Sequence, residues 1–126
     1  MKALIPASLP RPFGAYSHGV ESGGLITTSG QLALAADGAI PQGVQAQAEL
    51  CFDHIAAILA EAGADFSHVL RFSAFVTRRE DMAAYMAVRD ARVAHLPVLP
   101  ASTLMIVSGF TRPEFLVEVE ALARLP

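Results

Sequence analysis

Two changes between helical and strand periodicity constrain the fold of this chain most strongly. Over Gly43–Ala62, apolar residues recur at steps of three and four, which is typical of an amphipathic helix. His68–Thr77 then alternates two sets of side chains, as a strand does. Residues 80–95 return to the helical period, which ends before Pro97 and Pro100. Helices that alternate with strands in this way predict β-α-β units packed in an α/β architecture.

Four further segments have strand character: Tyr16–Val20, Leu25–Ser29, Thr103–Val107 and Phe115–Leu122. Glu21–Gly24 supplies a hairpin turn between the first two strands. Residues 1–15 contain three prolines and are expected to form an irregular lead-in. The predicted order is β-β-α-β-α-β-β in a single domain, residues 1–126, with one sheet and both helices on one of its faces.

Periodicity also assigns side chains to the core. The apolar stripe of the first helix consists of Val44, Ala48, Cys51, Ile55, Ile58, Leu59 and Ala62. Gln47 lies off this stripe, and Gly63 is placed to cap the helix C-terminus. One face of the long strand carries Leu70, Phe72, Ala74 and Val76. The residues of the second helix that are expected to point inward are Met82, Tyr85, Val88 and Val93.

Composition excludes several classes of protein. Apolar residues make up 53% of the chain and charged residues 17%, which does not fit a disordered protein. Nine basic and twelve acidic residues give a net charge of −3, without the basic run that nucleic-acid binding needs. The longest uncharged segment, Val93–Thr111, is interrupted by prolines, so no membrane span is expected. A lone Cys51 and the lack of a signal-peptide pattern favour a cytoplasmic protein.

A chain this small and this apolar is expected to associate with copies of itself. A domain of this length buries only about two-thirds of its unfolded surface, so apolar side chains remain outside its own core. The sheet face away from the helices would carry Val69, Phe75 and Met105 beside Arg71 and two glutamates. That mixture suits an interface with a wet cleft, and we therefore expect a homo-oligomer.

Common catalytic and metal-binding signatures are missing from the sequence. It contains no GxGxxG, Walker-type, HExxH, CxxC or GxSxG motif. The four histidines, His18, His54, His68 and His95, do not have the spacing of metal ligands. We interpret them as surface or loop residues and predict no metal site.

A series of short motifs is distributed along nearly the whole chain: G-x-Y-S at Gly14–Ser17, T-S-G-Q at Thr28–Gln31, F-x-T-x-x-x-D-M-A-A at Phe75–Ala84, P-A-S-T at Pro100–Thr103 and V-E-V-E-A at Val117–Ala121. The first helix adds A-x-A-x-x-x-F-x-x-I-x-A-I-L-x-x-A-G-A at Ala46–Ala64. In order and spacing, these motifs resemble the RidA (YjgF/YER057c/UK114) family.

The resemblance implies a chorismate-mutase-like α/β fold, with a single mixed sheet and two helices, assembled as a homotrimer with small-molecule clefts between subunits. It also implies hydrolysis of imines or enamines to ketones and ammonia, without metal or organic cofactor. By the same resemblance, Glu118 handles the attacking water, Tyr16 closes the cleft, and the Gly30 amide, with Ser29 beside it, contacts substrate. The residues alone also allow a solvated strand face for Glu118 and a core-edge position for Tyr16.

Two positions depart from the family pattern. Deaminating members have an arginine after Pro-Ala that clamps the substrate carboxylate, and here that position is Ser102. Serine offers neither charge nor a fork of donors. The family's amide on the second helix falls on Met86. Activity on 2-iminopropanoate is therefore expected to be weak or absent.

Two alternatives could compensate for the missing arginine. Arg71 or Arg89 could reach the cleft, although exposed arginine is more often a surface ion-pair partner. Ser102, Thr103 and His18 could instead hydrogen-bond a different substrate. The sequence thus predicts a deaminase-type hydrolase of a small imine, enamine or related unsaturated amine. A trimer that binds a small metabolite without chemistry is the alternative.

Overall fold

A single mixed sheet with two helices on one face accounts for the whole chain, and the computed structural model describes all 126 residues. The strands are β1 (Lys2–Leu4), β2 (Gly19–Ser22), β3 (Leu25–Thr28), β4 (Gln31–Leu32), β5 (Val69–Val76), β6 (Ala101–Ile106) and β7 (Val117–Arg124). The helices are α1 (Val44–Ala60) and α2 (Met82–Val93). Neither helix is long and apolar enough to cross a membrane.

Strand β7 lies inside the sheet, whose order is β1-β2-β3-β7-β5-β6, and β4 also pairs with β7. Only β5 and β6 pair in parallel, and α2 connects them. Because β3 and β5 both run antiparallel to β7, they are parallel to each other, with α1 between them in sequence. Both predicted β-α-β units are therefore present, and β6 is left as an edge strand.

The ends of the chain differ from the prediction. Lys2–Leu4 forms an edge strand where an irregular lead-in was expected, and Gln31–Leu32 adds a strand that was not predicted. Both are too short to show periodicity. The strand predicted over Tyr16–Val20 begins only at Gly19. The hairpin turn is shorter than predicted and consists of Gly23 and Gly24. Their φ angles of 59° and 83° suit a two-residue connection. The other predicted strand boundaries move by about two residues, the usual uncertainty of such assignments.

Gln47 is buried, which corrects its assignment to the outside of the first helix. It is 2% exposed. Its side-chain nitrogen donates to the carbonyls of Pro41 and Glu114, at 3.0 and 2.9 Å, and its oxygen accepts from the Leu116 N–H at 2.8 Å. A buried amide with these partners is stable, because each polar atom lost to water is replaced. Gln47 thereby anchors the chain just before β7 to α1.

Gly63 ends the first helix as predicted. Its φ is +72°, a left-handed conformation that favours glycine. The Ala64 N–H bonds the Leu59 carbonyl and the Gly63 N–H bonds the Ala60 carbonyl, both at 3.0 Å. This pair of bonds is the Schellman motif, which satisfies the last carbonyls of the helix.

A β-bulge corrects the predicted faces of β5. Pairing with β7 shifts register between Val69 and Arg71. Val69 is consequently buried in the core, whereas Leu70 is 43% exposed, the reverse of the prediction. A bulge adds one residue to one strand, so alternation before it is inverted. Beyond the bulge, Phe72, Ala74 and Val76 face the core as predicted.

An aromatic cluster joins the helices to the sheet. Phe52 of α1 contacts Phe72 of β5 edge-on, with ring centroids 5.2 Å apart, and stacks on Tyr85 of α2 at 6.0 Å. Tyr85 is fully buried, as predicted for the second helix, and its hydroxyl has no hydrogen-bond partner. Burial raises the pKa of Tyr85 to about 12. The hydroxyl is therefore a polar atom whose loss of hydration nothing in the protein replaces.

Candidate active site

A pocket of about 420 Å³ opens where the lead-in, the turn after β3 and the start of β7 meet. This volume lies in the range of small-molecule sites. Its wall includes five of the residues predicted to form the site: Tyr16, His18, Ser29, Gly30 and Glu118. We refer to it as the Glu118 pocket.

Glu118 reaches the pocket because β7 alternates. Val117 and Val119 are buried against the helices, so Glu118 between them lies on the opposite face and is half-buried. It forms no ion pair. Burial, together with the nearby charge of Glu120, raises the pKa of its carboxyl. A carboxyl of this kind exchanges protons closer to neutral pH than an exposed one does.

Gly30 touches the Glu118 carboxyl directly. A Cβ atom built on Gly30 would lie 2.6 Å from the carboxyl carbon and from Oε1 of Glu118, so any larger residue here would displace the carboxyl. The Gly30 N–H donates to no protein acceptor. The structure thus places a free backbone donor beside a partly desolvated carboxyl. Such a pair can polarise a small ligand and exchange a proton with it.

Ser29 and Tyr16 support the mouth of the pocket. The Ser29 hydroxyl donates to the Ser17 carbonyl at 2.7 Å, and its N–H bonds the His18 carbonyl at 2.8 Å. The hydroxyl of Ser29 is therefore used to hold the chain around Tyr16. Tyr16 is 45% exposed, and its own hydroxyl accepts from the Phe13 N–H at 3.2 Å. Its ring is free to cover a ligand.

Two buried histidines line the pocket, His18 at 7% and His54 at 6% exposure. His18 lies in a loop, as predicted, whereas His54 lies on the buried side of α1, which corrects its assignment as a surface or loop residue. Nε2 of His18 lies 2.6 Å from the Pro10 carbonyl, to which it donates. Burial lowers the pKa of His54, and the charge of neighbouring His18 lowers it further. His54 is thus kept neutral to a lower pH than an exposed histidine.

The remaining predicted site residues lie elsewhere, around β6. Nη1 of Arg71 donates to the Thr103 hydroxyl at 2.6 Å, and Nη1 of Arg89 donates to the Ser102 hydroxyl at 3.2 Å. We refer to these four residues as the β6 edge. Ser102 pairs in register with buried Phe72 and contacts α2, so it lies on the helix side. Thr103 follows it on the strand and faces the other way. Ser102 and Thr103 therefore do not act as one hydrogen-bonding group with His18.

Two of the three guanidinium nitrogens of Arg89 are bonded to its neighbour on α2. Its Nε and Nη2 each lie 2.9 Å from Oδ1 of Asp90. Only Nη1 extends to Ser102. Arg89 therefore places a guanidinium beside Ser102, with one arm available rather than a fork.

Sequence reasoning assigned no site role to four polar members of the Glu118 pocket: Arg11, Gln31, His54 and Thr111. His54 follows Cys51 by three residues and precedes Ile58 by four, so helical spacing could have identified it as inward-facing. Arg11 and Thr111 come from irregular segments, where no periodicity indicates direction. No group of three or more potential metal ligands exists in the chain.

Known proteins provide an independent comparison. A sequence profile of the family described as Endoribonuclease L-PSP matches residues 7–125. The 2-iminobutanoate/2-iminopropanoate deaminase of Escherichia coli (strain K12) is 30% identical over 124 residues, 97% of this chain and 96% of that protein. RidA from Psychrobacter sp. PAMC 21119 superposes with a TM-score of 0.91 at 28% identity, over 99% of this chain and 100% of that one. E. coli TdcF with bound serine gives 0.93 at 26% identity, over 100% of both chains.

These likenesses extend over the whole chain and agree with the observed architecture. The mixed sheet with two helices is the fold of the solved RidA structures. The curated relative with 30% identity is an imine deaminase. Both the profile match and this relative cover almost every element that builds the Glu118 pocket. The chain is therefore a member of the RidA/YjgF/L-PSP family.

Proposed function

We propose that this protein is a hydrolase that releases ammonia from a small imine, enamine or related unsaturated amine. The observation that carries the proposal is the contact between the partly desolvated Glu118 carboxyl and the turn at Gly30, whose N–H is free. Addition of water to a C=N bond needs a donor that polarises the substrate and a group that moves protons. The Glu118 pocket contains both within one chain.

The proposed reaction follows from these two groups. The substrate binds as an iminium, R₂C=NH₂⁺, beside Glu118. The carboxylate takes a proton from water as the oxygen bonds to carbon, giving an amino alcohol. The resulting carboxylic acid gives that proton to the amino group. The C–N bond then breaks, its electron pair leaves with ammonia, and the hydroxyl proton is released to form the ketone.

We propose further that the protein is a homotrimer whose clefts lie between subunits. The sheet face away from the helices and the unpaired side of β6 are available for contact. Met105 on that face is 53% exposed and Leu122 is 39% exposed. A surface of this kind is usually covered by a partner. In this arrangement the β6 edge of one subunit completes the Glu118 pocket of the next.

Activity on 2-iminopropanoate is proposed to be weak. Ser102 supplies no charge, and the guanidinium of Arg89 beside it is held by Asp90 on two of its nitrogens. A short 2-imino acid would thus meet a single-armed contact at the β6 edge instead of a bidentate clamp.

The alternative function is a trimer that binds a small metabolite without turning it over. The pocket alone would support it, because Glu118 and the Gly30 N–H could hydrogen-bond a stable ligand. RNA cleavage, which the family description suggests, receives less support, because the net charge is −3 and no basic surface run is present.

The test is ammonia release from a panel of imines generated in place by amino-acid oxidases, using wild type, Glu118→Gln and Glu120→Gln. Glu120 lies two residues along the same strand and face, and is the matched control. We expect Glu118→Gln to lose about 100-fold or more in kcat, which is in the usual range for an acid–base group, with binding little changed. Glu120→Gln should retain turnover within a few-fold.

Two results would contradict this proposal. Ligand binding by wild type in calorimetry, without faster ammonia release from any imine of the panel, would favour the binding trimer. Equal losses of turnover in Glu118→Gln and Glu120→Gln would remove Glu118 from the proposed reaction.

A further inference from the structure

The wall of the Glu118 pocket contains one permanently positive side chain, Arg11. It comes from the irregular segment before β2, near the other end of the chain from Glu118. It forms no ion pair. An arginine and a glutamate that share one pocket without pairing leave two opposite charges available to a ligand.

The other arginines near candidate sites are already bonded. Arg71 and Arg89 donate to Thr103 and Ser102 at the β6 edge. Arg78, Arg92 and Arg112 each pair with an acidic side chain: Asp81, Asp53 and Glu114 respectively. None of these five lines the Glu118 pocket. Arg11 is thus the guanidinium best placed to receive an anion there.

The backbone around Arg11 is held against the pocket from both sides. The carbonyl of Pro10, directly before it, accepts from buried His18 at 2.6 Å. The N–H of Phe13, two residues after it, donates to the Tyr16 hydroxyl at 3.2 Å. Both partners line the same pocket. These bonds restrict where the Arg11 side chain can reach, which reduces the entropy lost when it binds a ligand.

Arg11 and Glu118 line the same pocket without coming within ion-pair distance of each other. The causes that raise the pKa of the Glu118 carboxyl are burial and the charge of Glu120, which agrees with this separation. A ligand that contacts both groups must therefore span the gap between them.

We propose that Arg11 is a specificity-determining residue that binds a carboxylate at the far end of the substrate, several bonds from the carbon–nitrogen bond that lies at Glu118. This inference rests on the proposed function for its placement of the reacting bond. The substrate class is an unsaturated amine with a distal carboxylate. A short 2-imino acid lacks that group, in agreement with the weak activity proposed for it.

The test compares two imines that differ only in the distal carboxylate: 2-iminopentanoate and 2-iminopentanedioate, generated from norvaline and glutamate by oxidases. For wild type we expect kcat/KM to be about tenfold or more higher for the dicarboxylate, through KM, since a charged hydrogen bond contributes on the order of 1.5–3 kcal/mol. Arg11→Gln should reduce the difference to within a few-fold, because kcat/KM falls much more for the dicarboxylate than for 2-iminopentanoate. Arg11→Lys should restore part of it. Arg79→Gln, which changes an arginine outside the pocket, is the matched control.

Binding of pentanedioate and pentanoate, measured by calorimetry, separates this inference from the proposed function. If no imine is hydrolysed but pentanedioate binds more tightly than pentanoate in wild type and not in Arg11→Gln, the inference stands and the proposed function fails. If both imines are hydrolysed and Arg11→Gln leaves their ratio unchanged, the inference is overturned and the proposed function stands.

Discussion

The Glu118 pocket and the β6 edge both contain polar residues that the sequence singles out. The two regions differ in how far these residues are already hydrogen-bonded or ion-paired. In the pocket, Glu118 is partly desolvated without an ion pair and the Gly30 N–H is free. At the β6 edge, Arg71 and Arg89 already donate to hydroxyls, and Arg89 also pairs with Asp90. Unsatisfied groups can respond to a ligand, whereas bonded ones must first exchange partners. We therefore propose that the chemistry takes place in the pocket.

Gly30→Ala alters the Glu118 pocket and leaves the β6 edge unchanged. It has the largest expected effect. The new Cβ would occupy space 2.6 Å from the Glu118 carboxyl, so the carboxyl or the turn must move. We expect kcat/KM for ammonia release to fall 100-fold or more, because displacements of about 1 Å already cost that much. Gly14→Ala is the control, since its Cβ would meet only the Tyr16 ring at 3.9 Å. Equal losses in both variants would refute the special role of Gly30.

Ser102→Arg tests the β6 edge, the second of the two regions. It adds a guanidinium at the β6 edge, beside an Arg89 that Asp90 restrains. In the proposed trimer this edge completes a neighbouring pocket, so we expect kcat/KM for 2-iminopropanoate to rise about tenfold. Ser8→Arg puts the same charge on an exposed residue outside both the β6 edge and the Glu118 pocket and should leave that value unchanged. An equal rise in Ser8→Arg and Ser102→Arg would show a general effect of charge and contradict a role for the β6 edge.

His54 gives the pocket a pH dependence that the β6 edge lacks. Its pKa in the fold is lowered from 6.5, so the unfolded chain binds more protons in acid. Stability from this group is fully present above pH 6.5 and is lost as pH falls through the lowered value, with a slope of at most about 1.4 kcal/mol per pH unit. Chemical denaturation should show that His54→Asn loses less stability than wild type between pH 7 and pH 5. His95→Asn, an exposed control, should follow wild type; a parallel decline in His54→Asn would contradict the buried, neutral imidazole.

The two tyrosines provide the smallest expected effect. The hydroxyl of Tyr85 is buried and has no partner, whereas the hydroxyl of Tyr16 accepts from the Phe13 N–H. Tyr85→Phe should therefore raise the free energy of unfolding by up to about 1 kcal/mol, since a desolvation cost is removed and no bond is lost. Tyr16→Phe should not raise it. Thermal unfolding of both variants measures the difference, and destabilisation by Tyr85→Phe would show that its hydroxyl has a partner.

Sequence reasoning predicted the elements whose periodicity is long enough to be seen. Gly43–Ala62 and Gly63 correspond to α1 and its Schellman ending, and alternation along β7 turned Glu118 away from the core. It failed where the environment of a single residue interrupts the regular spacing of buried side chains. The bulge at Val69 inverted one end of β5, and Gln47 is buried because its amide bonds the chain before β7. Neither event leaves a local sequence signal, because each depends on a distant strand.

The residues predicted for the candidate site lie in two separate regions, the Glu118 pocket and the β6 edge. Tyr16, Gly30 and Glu118, which the family motifs singled out, line one pocket. Ser102 and Thr103 were grouped by their adjacency in sequence, but neighbours on a strand face opposite ways. Arg11 was not singled out, because an irregular segment gives no indication of which way its side chains point.

The most direct test of the account is the titration of the Glu118 carboxyl, followed by ¹³C NMR with and without pentanedioate. The account predicts a midpoint above the ordinary 4.5, because the group is buried and its neighbour Glu120 is negative. It also predicts that the ligand shifts this midpoint while leaving that of exposed Glu80 unchanged. A midpoint at or below 4.5 that the ligand does not move would show a solvated carboxylate outside the site.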